Sequence, residues 1–343
     1  MTTKKISPQN PDIERTSQMD LFMLLDLRAK EQDDYSNTIE IYDAMPKYVW
    51  GKKREHKDLQ NATITRRCTI RGREMVVKIQ PAIIEKPDGS SVLIYPGERE
   101  ELVEDALRKI AVSGQGAYVG DKAGVTFTLY QLRKELSRMG HTYSFTEILE
   151  SLHVCRGAIL QCQTPNGNSI INSSFFGLLG ITTKDEFEEH GRDAKCYVQF
   201  NPLVNESIIN LTFRQYNYQV SMDIRSALAR FLYKRMAQYW SQADEQNPYT
   251  PSLVSFLDQS PRGFIGKDMK TELRAMRNAL DTLIKHEVVD YYDERKVLAG
   301  KQKTIDAQYT IYPHPKFVKE VIKANKRKNV LRARHAKLEL ENK

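Results

Sequence analysis

The stretch GKDMKTELRAMRNALDTLIKHEVVDYY, Gly266 to Tyr292, carries two stripes at helical spacing. Met269, Leu273, Met276, Leu280 and Leu283 recur at steps of four, three, four and three, which is one apolar face of a helix. Lys267, Lys270, Arg274 and Arg277 recur at steps of three, four and three, about 100° round the same cylinder. The spacing predicts a helix from about Lys267 to His286, packed on one side. Beside the packed face it presents Lys267, Lys270, Thr271, Arg274, Arg277 and Asn278. On a lone helix a solvated charged face would look the same, so the flanking segments decide.

Upstream, TPSLVSFLDQS reads as a short helix with Pro251 in its first turn, and PRGFIG reads as a turn. Downstream, EVVDYYD reads as a strand, ERKVLAGKQKTID as a long basic loop, and AQYTIYP as a returning strand. Helix, turn, helix and β-hairpin in this order make a winged helix-turn-helix. The order occurs once before. Apolar periodicity predicts helices from about Gly97 to Ser113 and from Thr128 to Met139. Ser144 with Glu147 three residues on has the spacing of a capping box, and Phe145, Ile148, Leu149 and Leu152 form the inner face of the helix it opens. AILQCQTPNGNSIINSSFF then reads as a hairpin on its Asn-Gly turn. Between the two units, Ser221 to Ser241 carries Ile224, Leu228, Phe231, Leu232, Met236 and Tyr239 on one face and reads as a long connecting helix.

The fold class expected is therefore α+β, two tandem winged helix-turn-helix domains. The boundaries read are a flexible arm at 1–44, a first domain at 45–220, a connecting helix at 221–243, a second domain at 244–315 and a basic tail at 316–343. From Lys316 to Lys343 there are ten Lys or Arg against three Glu, so +7 of the chain's net +8 lies there. Such a tail either holds phosphate by charge or is a solubilising disordered end.

The composition excludes several classes. No apolar run approaches the ~20 residues of a membrane span, and the N-terminus shows no apolar leader, so a cytoplasmic protein is expected. The four cysteines have no C-x-x-C spacing, which argues against a disulfide scaffold or a zinc ribbon. The seven histidines are all at least twelve residues apart, so no His-hydrophobe-His metal pair of a nicking enzyme occurs. GFIGKD has the wrong spacing for a phosphate-binding loop. No catalytic residue, metal or cofactor is assigned, and a binding protein is expected.

The two candidate recognition helices differ in charge. The first presents Thr146, Glu147, Glu150, Ser151 and His153, whose carboxylates would face phosphates at a cost; it reads as packing or a protein contact. The second presents Arg and Asn, the side chains that make bidentate contacts to guanine and adenine edges in the major groove of double-stranded DNA.

QMDLF, AMPK, DLQN and VTFTLYQL in the N-terminal half, YVQFNPLVNESI followed by a long helix, and the spacing of MKTELRAMRNALDTLIKHEVVD are the segments through which the chain resembles plasmid replication initiators of the TrfA type, and more distantly RepC-type initiators. The resemblance spans most of residues 18–313 and rests on the order of the segments. It implies binding to directly repeated origin sequences (iterons), opening of an adjacent A+T-rich segment, and recruitment of the host replicative helicase and initiator. It also implies monomer and homodimer forms, such as serve copy control. Through the same resemblance Gln18, Met19, Asp20, Leu21 and Phe22 look like the pentapeptide that docks on the bacterial sliding clamp, with Met19 where Leu is usual. The alternatives are a winged-helix transcriptional regulator and, from another class, a DNA-nicking relaxase or primase.

Overall fold

The computed structural model describes residues 34–51, 55–56, 62–70, 72–86, 88–119, 122–167, 170–181, 195–210, 212–264, 268–300 and 303–341. The fold is mixed α/β. In chain order it runs β1 (Tyr35–Ile39), α1 (Glu40–Ala44), β2 (Glu55–His56), β3 (Ile64–Ile70), β4 (Arg73–Gln80), β5 (Ala82–Glu85), β6 (Ser91–Ile94), α2 (Glu98–Ile110), β7 (Gly116–Val119), β8 (Lys122–Phe127), α3 (Leu129–Arg138) and α4 (Phe145–Gly157). It continues with β9 (Ile159–Gln163), β10 (Ile170–Ser174), β11 (Phe176–Gly180), β12 (Cys196–Phe200), α5 (Pro202–Ile209), β13 (Phe213–Asn217), α6 (Tyr218–Asp223) and α7 (Ala227–Tyr239). The last elements are α8 (Leu253–Asp258), α9 (Met269–Lys285), β14 (Val289–Ala299), β15 (Lys303–Pro313) and α10 (Pro315–Glu341).

Two hydrophobic cores organise these elements. The first gathers Leu102, Val103, Leu107, Leu132, Leu136, Ile148 and Leu152 from α2, α3 and α4 against the sheets. The Ser144–Glu147 capping box forms as the spacing requires: Glu147 N donates to Ser144 Oγ at 3.2 Å and Ser144 N to Glu147 Oε2 at 2.8 Å. The hairpin β9–β10 is not free-standing, because β9 also pairs with β4 in the four-stranded order β10-β9-β4-β3. Two side chains of α4 depart from the expected faces. Ser151 is buried, with its hydroxyl donating to the Glu147 carbonyl, whereas Phe145 is exposed under the Arg133 guanidinium.

The second core gathers Leu228, Phe231, Leu232 and Met236 of α7, Leu253 and Phe256 of α8, Met276, Leu280 and Leu283 of α9, and Tyr309 and Ile311 of β15. Residues Tyr249 to Ser252 add a short third strand along β15, through the bridges Tyr249–Ile311 and Ser252–Gln308. Met269 is only half-buried, where the periodicity put it with the core-facing residues.

Four expectations change. Residues 34–44 belong to the fold and not to an arm: β1 pairs with β13, and the Asp43 carboxylate holds Lys47 at 2.7 Å and Arg108 at 2.8 Å. The rest of the arm, including Gln18–Phe22, lies outside the described residues. The long connecting helix is two helices. The chain turns extended at Ile224, and Ser226 caps α7 by accepting from Ala229 N, so α7 becomes the first helix of the second core. The long basic loop is instead the far half of a β-ribbon, with β14 and β15 paired from Val289–Pro313 to Ala299–Lys303 and Gly300 at φ 66° in the turn. The basic tail is the helix α10, whose Phe317, Val321, Ala324 and Leu331 are buried. An apolar residue every three to seven positions gives the cationic segment a face to bury.

The two cores meet at α2 and α7 through charge. Arg230 is fully buried and donates to Glu98 at 2.9 Å and Glu101 at 3.3 Å; Lys234 donates to Glu101 at 3.1 Å and is ion-paired with Asp105. Glu98, Glu101 and Asp105 lie at steps of three and four on one helix, and Arg230 and Lys234 at a step of four on the other. Trp50 packs on both cores, with its ring 6.1 Å from that of Phe231.

Candidate nucleic-acid interface

The geometry of the candidate site starts at Asp268. Its carboxylate caps α9, accepting from Lys270 N at 3.0 Å and from Thr271 Oγ1 at 2.8 Å, which commits Thr271 to the cap. The preceding turn is held from inside. Gly263 takes φ 73°, a left-handed conformation that a glycine adopts without strain, and Arg262 is ion-paired with the buried Glu272 one turn into α9.

Lys270, Arg274, Arg277 and Asn278 are all exposed, on the side opposite Leu273, Met276 and Leu280. From Lys270 to Asn278 the helix advances about 12 Å at ~1.5 Å per residue. Neither Lys270 nor Arg274 makes an ion pair among the described residues. Lys267 lies outside the described residues.

Arg277 is differently placed. Its Nε and Nη2 donate to the two carboxylate oxygens of Glu294 on β14 at 2.7 and 2.6 Å. Glu294 also accepts from the Tyr309 hydroxyl at 2.9 Å. The hydrogen bonds from Arg277, against a smaller penalty from burial, hold the Glu294 carboxyl below its usual range. Arg277 thus ties the helix to the ribbon. The bidentate fork that would read a base is engaged within the protein.

The ribbon adds cations that the loop reading did not assign to the site. The spacing of ~3.3 Å per residue makes each strand roughly 35 Å long. Its base is packed, but from Arg295 to Ala299 every residue of β14 is exposed. Arg295 and Lys296 on β14 and Lys303 on β15 all stand exposed on this outer half. Local signals were present: Val297, Thr304 and Ile305 favour strand, and Ala-Gly at 299–300 marks a turn. The first unit offers less. Glu147 and Glu150 of α4 both face the single Arg99, which is also paired with Glu100, so this surface keeps an excess of carboxylate.

Among the described residues no group of three or more His, Cys, Asp or Glu could hold a metal ion, and no helix is long and apolar enough to cross a membrane. The four cysteines are buried and unbridged, and burial pushes the Cys68 thiol up to about 12.

No protein-family model and no curated protein matches the chain. In structure it is similar to domains 2 and 3 of RctB, with a TM-score of 0.47 and 11% identity, over 77% of this chain and 94% of that one. A second structure of those RctB domains gives 0.46 and 11%, over 81% and 98% of the two chains. The Pi initiator protein in complex with iteron DNA is similar at a TM-score of 0.44 and 8% identity, over 63% of this chain and 91% of that one.

Proposed function

We propose that the chain is a plasmid-type replication initiator: a non-enzymatic protein that binds directly repeated origin sequences in double-stranded DNA through two tandem winged helix-turn-helix units. One observation carries the DNA-binding part. An exposed face of Lys270, Arg274 and Asn278 stands on a capped helix beside a ribbon whose far half bears Arg295, Lys296 and Lys303. A helix of ~10–12 Å diameter with its side chains fits the ~12 Å width of the major groove. In this reading Arg274 and Asn278 meet base edges, Lys270 and the ribbon cations meet phosphates, and Arg277 sets the angle between helix and wing. Phosphate contacts supply affinity and base contacts supply register. Several copies on adjacent repeats would supply the free energy to open A+T-rich DNA without nucleotide hydrolysis. Clamp capture through Gln18–Phe22 and helicase recruitment belong to the same reading and rest on the sequence resemblance.

The test is selection of a preferred duplex from a random pool, followed by binding titrations of Arg274→Ala. Loss of one bidentate base contact costs ~1–3 kcal/mol, roughly 5- to 150-fold in cognate affinity. Random duplex should weaken far less. If cognate and random binding fall equally, the α9 face touches phosphate only and does not read sequence. A transcriptional regulator would show the same binding. Maintenance of a plasmid that depends on the selected repeats separates the initiator from the regulator.

A further inference from the structure

The ribbon is packed as far as Ala307, which is fully buried. Beyond that level Val297 is 37% exposed, Leu298 51% and Ile305 45%. A single exposed apolar side chain is ordinary on any surface. Three branched ones together at the end of a two-stranded ribbon give it an apolar tip.

Successive residues of a strand point to opposite faces, and the register sorts the tip accordingly. Arg295 and Val297 share one face, with Gln308 and Asp306 across from them. Lys296 and Leu298 share the other, with Ala307 and Thr304 across from them. This second face is the one on which Glu294, nearer the base, meets Arg277 of α9. Each face therefore reads the same way outward: a cation, then an apolar side chain two residues on, roughly 7 Å away at ~3.3 Å per residue. Val297 lies across from Asp306 and Leu298 across from Thr304, so Ile305 is the extra residue of a β-bulge. A bulge bends its strand and re-aims side chains, and here it adds a third apolar group to the tip.

The charge of the tip is largely of one sign. Arg295, Lys296 and Lys303 are exposed and make no ion pair among the described residues. Asp306 is used by the Ser252 hydroxyl and Val254 N, and Glu294 by Arg277. Asp293, exposed on the face of Arg295, lies two residues nearer the base.

The pattern selects its partner. A flat protein surface covers one face of a ribbon and leaves the other wet. Apolar groups on both faces, each with a cation behind it, fit a slot with two negative rims. The minor groove of DNA is such a slot, and its depth of ~7.5 Å is close to the step from cation to apolar group. Its width of ~6 Å is less than the ~10 Å that the spacing of packed sheets gives a strand layer with its side chains, so entry widens the groove.

We propose that the ribbon tip is a minor-groove wedge: Val297, Leu298 and Ile305 part a base step while Arg295 and Lys296 hold the phosphates on either rim. The wedge rests on the DNA-binding reading of α9 and goes beyond it, from contact to deformation. An apolar wedge in the minor groove kinks the duplex toward the major groove. The cost is least at flexible pyrimidine–purine steps such as TA, so the tip selects sequence by deformability. Arg277 on Glu294 ties the ribbon to α9, so the parted step should fall at a constant offset from the bases under Arg274.

The test uses the full-length protein and the duplex selected from the random pool. Energy transfer between end-attached dyes reads bending, and aminopurine placed in turn at each step reads unstacking. The parent should bend the duplex and brighten aminopurine at one step outside the α9 contact. Changing that step to GC should weaken binding roughly 5- to 150-fold, the range for one altered base pair. Val297→Ser combined with Leu298→Ser should abolish both signals and the dependence on that step, while preference for the bases under α9 remains. Both side chains are exposed, so the Tm of this variant should match the parent's. Leu298→Phe, which keeps an apolar wedge, should keep the kink. A duplex that is selected and bound but neither bent nor brightened, or a serine variant that bends it like the parent, would overturn the wedge and leave the DNA-binding reading standing. Failure to select any duplex would overturn both. Loss of self-association in the serine variant, with bending unchanged, would make the tip a contact between copies of the chain instead.

Discussion

Replacing Arg230 with Met would remove the central cation of the junction between the two cores. The side chain is fully buried and makes three kinds of contact: Glu98 at 2.9 Å, Glu101 at 3.3 Å, and the Ile224 carbonyl at 2.9 Å. Breaking a buried pair by deleting one partner costs ~3–5 kcal/mol, because the other charge is left without compensation. Two features lower the figure. Glu98 is 46% exposed and rehydrates easily, and Lys234 stays on Glu101 at 3.1 Å. The Ile224 carbonyl, at the break that redirects the chain into α7, loses its donor. A loss near 3 kcal/mol is the expectation. Urea unfolding followed by tryptophan emission is the assay, since Trp50 touches both cores and Trp240 belongs to the second. The two units should separate into distinct transitions in the variant. Adding Glu101→Gln to Arg230→Met should cost much less than Glu101→Gln alone, because the charge it removes is already half-abandoned. A loss under ~1 kcal/mol, with one shared transition and additive single effects, would refute the view that charge locks these units.

Acid should act on the same junction: although burial opposes it, Arg230 and Lys234 bring the Glu101 carboxyl from 4.5 down to about 2. A depressed folded pKa gives stability that is present above pH ~4.5 and lost as pH falls toward ~2, at most ~3.5 kcal/mol at ~1.4 kcal/mol per unit. Burial, with Glu101 beside it, pushes Asp105 the other way, so its contribution is fullest in acid and shrinks as pH rises. Urea midpoints between pH 5 and pH 2.5 should therefore fall less steeply in Glu101→Gln than in the parent; equal slopes would assign the acid sensitivity elsewhere. On α9, a cycle of Arg277→Ala and Glu294→Gln should give a coupling of ~0.5–1 kcal/mol in stability, since Arg277 is 44% exposed and solvent screens the pair. Glu294→Gln alone should steepen the salt dependence of DNA binding by up to ~0.9 in log–log slope, as the released Arg277 takes up a phosphate; an unchanged slope would mean that Arg277 stays on the ribbon.

The parts of the fold legible in the sequence are those whose cause is local. The α9 stripe needs only the recurrence of Leu273, Met276, Leu280 and Leu283, and the Ser144–Glu147 box needs only four residues. The break before α7 was hidden because Ile224 continues the apolar period, although its backbone does not continue the helix. The commitment of Arg277 could not be read from its own stripe, because Glu294 lies 17 residues on in a segment whose cations and single Gly read as a loop. β1 was unreadable for a stronger reason. Its partner β13 is more than 170 residues away, as the Thr38 hydroxyl donating to the Arg214 carbonyl shows, and although Tyr35, Thr38 and Ile39 favour strand, five residues with no nearby partner do not declare one.

Charge illustrates the same limit most sharply. By count, Lys316–Lys343 holds nearly all of the net positive charge, which on formal grounds makes it the foremost segment for phosphate. Folding divides that charge among different surroundings. Four of its cations line a cleft between α10 and β13, where Glu320 and Asp34 share the wall, and Lys316 is further ion-paired with Glu287. The ribbon, by contrast, carries carboxylates among its cations and contributes little to the total. Two of its acids, however, are consumed: Glu294 is held by Arg277, and Asp306, across from Val297, accepts from the Ser252 hydroxyl at 2.8 Å and Val254 N at 3.0 Å. Arg295, Lys296 and Lys303 on its outer half are left to face solvent. A phosphate backbone samples the local field within about a Debye length, ~8–10 Å at ordinary salt, and not the sum over a segment. The charge a surface offers to solvent is therefore set by which acids are consumed inside the fold and not by the formal charge of the segment.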